Sequence, residues 1–92
     1  RDPSKYDSEL IFLSSSYSKW AVAEAFRFID NHPEYSTESA LEIFIRRMDE
    51  YSCKARTQQS SFMFSTAKSI AEDILDTLII EKAFRRSKNE CE

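Results

Sequence analysis

FMFSTAKSIAEDILDTLIIEKAFRR, Phe62 to Arg86, is the longest stretch of the chain with helical apolar spacing and neither Gly nor Pro. Advancing about 100° per residue places Met63, Ala67, Ile70, Ala71, Ile74, Leu75 and Leu78 within an arc of roughly 140°, the width of a core-facing stripe. Ser65, Lys68, Ser69, Glu72, Asp73 and Asp76 take the rest of the circumference. The stripe fails after Ile79. Glu81, Lys82 and Arg85 land where Met63, Ala67 and Leu78 pointed, while Ile80 and Phe84 land on the other side, near Phe62. One helix therefore carries two apolar faces. Met63–Leu78 is expected to face a core. Ile80 and Phe84 are left for a bend, a second covering helix or a partner.

Upstream of this stretch, Arg56–Ser61 holds no apolar residue. Nearly two turns without core contact predict a break near Thr57–Ser60. The rival is one unbroken helix from Thr37 to Arg86, about 75 Å long, which would demand a partner along its length. Before the break, Ala40, Leu41, Phe44, Ile45, Met48 and Tyr51 share one face, with Ser36 or Thr37 as the cap and Glu38 and Glu42 near the positive end. Ala21, Val22, Ala25, Phe26, Phe28 and Ile29 form another broad apolar face, from which Trp20 is excluded. Asn31-His32-Pro33 ends that helix, because Asn tolerates left-handed backbone and the residue before Pro is pushed away from helical geometry. Asp2-Pro3 is a start signal. Tyr6, Leu10, Leu13 and Tyr17 then fall on one face, and Ser14-Ser15-Ser16 reads as a break, because serine competes for the backbone.

These readings predict an all-α domain over residues 1–92, a small antiparallel four-helix bundle closed within one chain or completed by homodimerisation. The helices are expected at 4–14, 17–31, 37–55 and 60–87, with a polar tail at 88–92. The expected core is Leu10, Leu13, Val22, Phe26, Ile29, Leu41, Phe44, Ile45, Met48, Ile70, Ile74, Leu75 and Leu78. Composition agrees with a helical chain. The 92 residues contain no glycine, which strand hairpins and tight turns commonly use.

The missing glycine also excludes chemistry. Walker loops, dinucleotide-binding turns, the nucleophile elbow and calcium EF-hands all need Gly for their backbone geometry. His32 has no second His or Cys at ligand spacing, so Asp30, Asn31, His32 and Glu34 read as turn and capping residues, not as a metal or acid–base site. Glu72, Asp73 and Asp76 lack the Glu-x-x-His pairs of di-iron bundles and read as a solvated face. Cys53 has Lys54 and Arg56 beside it, a setting that favours thiolate, but no His partner. It and Cys91 are too few and too far apart for a disulfide framework, and both read as free thiols in a reducing, cytoplasmic setting. No signal peptide is visible, although a start at Arg1 without Met is consistent with a trimmed leader. No apolar run approaches the ~20 residues of a membrane span. Neither an enzyme nor a cofactor is expected.

Aromatics make up 13% of the chain, too many for one small core to face. The expected function is a non-enzymatic module, a helical adaptor or regulator. It would bind another protein, or a second copy of itself, through Trp20, Phe62, Ile80 and Phe84. The alternative is a small nucleic-acid-associated regulator using Arg46, Arg47, Arg85 and Arg86 to touch phosphates. Against it stand the net charge of −3, the interleaved acids and a connection at Asn31–Ser36 that is longer than a helix–turn–helix turn.

Overall fold

The structure, a computed structural model, describes the backbone of residues 3–90 and the side chains of residues 16–85. It folds as three helices, α1 (Pro3–Asn31), α2 (Thr37–Lys54) and α3 (Gln58–Glu90), and the described residues hold no strand. The all-α expectation holds, but the four helices become three. The two segments expected before Asn31 are one continuous helix. Serine in a helix interior costs at most about 0.7 kcal/mol relative to alanine. Three serines with no Gly or Pro among them do not stop a helix.

The other boundaries have local causes. Ser36 caps α2: its hydroxyl accepts the Ser39 backbone N–H at 3.1 Å. Thr57 caps α3 in the same way, accepting the Ser60 N–H at 3.0 Å. The break before α3 is therefore real and falls at residues 55–57, so the unbroken Thr37–Arg86 helix does not form. Between α1 and α2 the His32 carbonyl accepts the Tyr35 N–H at 3.1 Å, a turn with Pro33 in the position proline favours. Asn31 does not use left-handed backbone; no described residue has a positive φ. Pro33 alone accounts for the stop.

Side-chain pairs give the directions. Lys82 pairs with Glu38, and Lys68 with Asp49 at 2.9 Å, so α2 runs antiparallel to α3. Tyr17 meets Phe62 and Trp20 meets Phe64, with ring centroids 5.7 and 6.2 Å apart. Phe28 meets Phe44 at 5.7 Å. Hence α1 runs parallel to α3 and antiparallel to α2. Packing is most extensive between α2 and α3 and weakest between α1 and α2.

The centre is built from Ala21, Ala25, Leu41, Phe44, Met48, Ala67 and Ala71. Four alanines let α1 and α3 approach closely, and the larger residues come from α2. Ile29, Ile45, Ile70, Ile74, Leu75 and Leu78 pack around this centre half-buried. Val22 and Phe26, expected in the core, are exposed instead. The α1 face turned inward is centred between Ala21 and Phe28. Val22 and Phe26 lie about 100° or more around the helix from that centre. Leu10 and Leu13, also expected in the core, lie outside the described side chains.

The molecule measures 61 × 29 × 19 Å, with a radius of gyration of 16.6 Å. A compact chain of this length would have about 12 Å. The elongation follows from register. Matching Tyr17 to Phe62 sets the end of α1 level with about residue 76 of α3. Matching Glu38 to Lys82 sets the start of α2 level with about residue 82. Beyond those points α3 continues alone.

Candidate functional site

The change of apolar face read in the sequence coincides with the place where α3 passes the end of α1. Leu78 is the last half-buried side chain among the described residues, and residues 79–85 are all exposed. Ile80 is 67% exposed, Phe84 71% and Ile79 50%. Ile80 and Phe84 lie on the α1 side of α3, below the end of α1. Above them the same side of the molecule presents Phe26 and Val22 from α1 and Phe62 from α3, all of them exposed. With α2 on the opposite flank, these side chains are left uncovered by the described residues of the chain.

The remaining expected partner residue behaves differently. Trp20 is half-buried, its ring edge-on to Phe64. Phe64 also meets Tyr51 at 5.4 Å, so the indole belongs to an aromatic cluster joining all three helices. Phe62 is partly sheltered by Tyr17 and remains 44% exposed. Ile79, Val22 and Phe26 join the exposed apolar set without having been expected there. No signal in the sequence set the last two apart, because they share the broad apolar face read over Ala21–Ile29.

The basic residues do not converge. Arg46 and Arg47 are exposed on α2, and the Arg47 guanidinium lies over the Phe28 ring, 5.1 Å from its centroid. By the register of Lys68 with Asp49 and Lys82 with Glu38, Arg46 and Arg85 are about 20 Å apart along the axis. Arg86 lies outside the described side chains.

The turn between α1 and α2 forms a small stack. The His32 ring sits between Phe28, at 4.4 Å, and Tyr35, at 5.8 Å, and its Nδ1 is 3.1 Å from Glu34 Oε2. Glu34's own backbone N–H, and then the His32 hydrogen bond, hold its carboxyl below the ordinary glutamate range. Hydrogen bonding to Asp49 raises the Lys68 ammonium above its ordinary value. At the α2–α3 junction the Ser52 hydroxyl reaches the Ser61 carbonyl at 3.2 Å and the Ser65 hydroxyl at 2.9 Å. These groups tie the helices together. The Cys53 thiol is free and exposed. Among the described residues there is no cluster of His, Cys, Asp and Glu able to hold a metal ion, and no helix is long and apolar enough to cross a membrane.

No family model matches the chain, and neither a curated protein nor a solved structure shows significant similarity to it.

Proposed function

We propose that the chain is a non-enzymatic protein-interaction module that binds a partner through the apolar side of α1 and α3. One observation carries this reading: Ile80 and Phe84 stand in solvent on α3 past the end of α1, where only the first turn of α2 still runs alongside. Burying such side chains stabilises by roughly 1.5–3 kcal/mol each, and within this chain that gain is not taken. The partner is another protein or a second copy of the chain, and the free thiol of Cys53 suits a reducing, cytoplasmic setting. The separated arginines give the nucleic-acid alternative no comparable support.

The test compares the full chain with Ile80→Ser/Phe84→Ser. Sedimentation velocity reads self-association, and affinity capture from the native host reads other partners. The double variant is expected to keep its helical circular dichroism and lose association. If it associates as well as the parent in both assays, the reading fails.

A further inference from the structure

The open side of α3 is charged as well as apolar. Where α1 ends, α3 holds a hollow of about 290 Å³ lined by Asp73, Ile74, Thr77, Leu78 and Glu81. Ile74 and Leu78 form a half-buried floor, and the Asp73 and Glu81 carboxylates stand exposed at the rim. The hollow is shallow and open to solvent, and its apolar floor gives a large apolar side chain a surface to pack on. Phe84 lies one turn beyond Glu81, and Ile80 flanks the hollow. Exposed Asp30 and Asp76 add two carboxylates to this side. The described cations nearby are Arg85 at the lower end and Lys19 at the upper.

We propose that this side receives an amphipathic helix of a partner protein whose apolar stripe is flanked by Lys or Arg. The inference rests on the interaction reading above and specifies the partner's chemistry. An apolar anchor enters the hollow, a second packs on Ile80 and Phe84, and cations on either side of the stripe meet Asp73 and Glu81. Helix-in-groove recognition uses anchors at this spacing, and charge complementarity selects among helices that are equally apolar. A second copy of the chain fits less well. A two-fold axis through the middle of this side sets Asp73 opposite its own symmetry mate, a like-charge contact.

The probes are a labelled amphipathic peptide of leucine and lysine, about 22 residues long to span the side, and its leucine–glutamate counterpart. Each is titrated into the full chain by fluorescence anisotropy at low and physiological salt. The leucine–lysine peptide is expected to bind roughly tenfold tighter, less so as salt rises. Asp73→Asn/Glu81→Gln should weaken it about fivefold, and Asp73→Lys/Glu81→Lys should reverse the preference. Equal affinity for the two peptides, or no response to either charge variant, overturns the basic-helix inference. In that case a loss on Ile80→Ser/Phe84→Ser would still support the interaction reading. If that variant binds both peptides like the parent, the interaction reading fails as well. A dimer that Ile80→Ser/Phe84→Ser dissolves and the peptide displaces makes the occupant a second copy, which also overturns the proposal.

Discussion

His32 is the chain's one histidine, and it is spent on holding a turn. Its ring fills the gap between Phe28 and Tyr35 while its Nδ1 meets Glu34. Because the Glu34 carboxyl is held below its ordinary value, its charged form favours the folded state. That contribution is present above the unfolded glutamate pKa, about 4.3, and is lost as pH falls through the lower folded value. Carboxyl NMR titration should therefore find Glu34 below the ordinary glutamate value. In His32→Ala it should move only part of the way back, because the first cause of its shift is Glu34's own backbone N–H. A full return would assign the shift to His32 alone. Single side chains differed in how plainly the sequence displayed their place. Leu41, Phe44 and Met48 were legible because α2 has a single apolar stripe with charges on both flanks. Val22 and Phe26 were not, because α1 has two stripes. Amphipathicity alone does not say which of them another helix covers.

For the elements, the deciding local signals were hydroxyl caps. Ser36 was one of two readable candidates for the start of α2, and Thr57 lay at the edge of the expected break, because hydroxyl side chains satisfy the free N–H groups of a helix start. Replacing either with Ala should cost about 1 kcal/mol in chemical denaturation. The serine run at 14–16 misled for the converse reason. Serine favours caps only where the chain turns, and nothing downstream forces a turn there. The alanine seam was present in the wheel of both helices but carried no visible weight, since alanine adds little buried area. Its role is spacing. Ala25→Leu or Ala67→Leu should push α1 from α3 and destabilise by roughly 1–3 kcal/mol, whereas Phe84→Ser should stay within about 0.5 kcal/mol. Equal costs for the seam and for Phe84 would mean that α1 and α3 are not held at close range.

Across the whole molecule, the same register that leaves α3 alone at its end makes stability uneven along one helix. From Met63 to Leu78, α3 shares hydrogen-bonded turns with a packed core, and opening those turns exposes Ala67, Ala71 and their neighbours. From Ile79 to Arg85 every side chain is in solvent. There the backbone is held by helix propagation and the exposed Lys82–Glu38 pair, and propagation is marginal for short segments in water. Native-state hydrogen exchange should therefore show a gradient within α3, with amides around Ala67–Ile74 approaching global protection and those of residues 80–85 exchanging much faster. Occupation of the open side adds the missing contacts, so the slow region should extend past Phe84 when a partner is bound. Uniform protection along α3 in the isolated chain would show that its exposed end is already covered, and the vacancy on which the interaction reading depends would be gone.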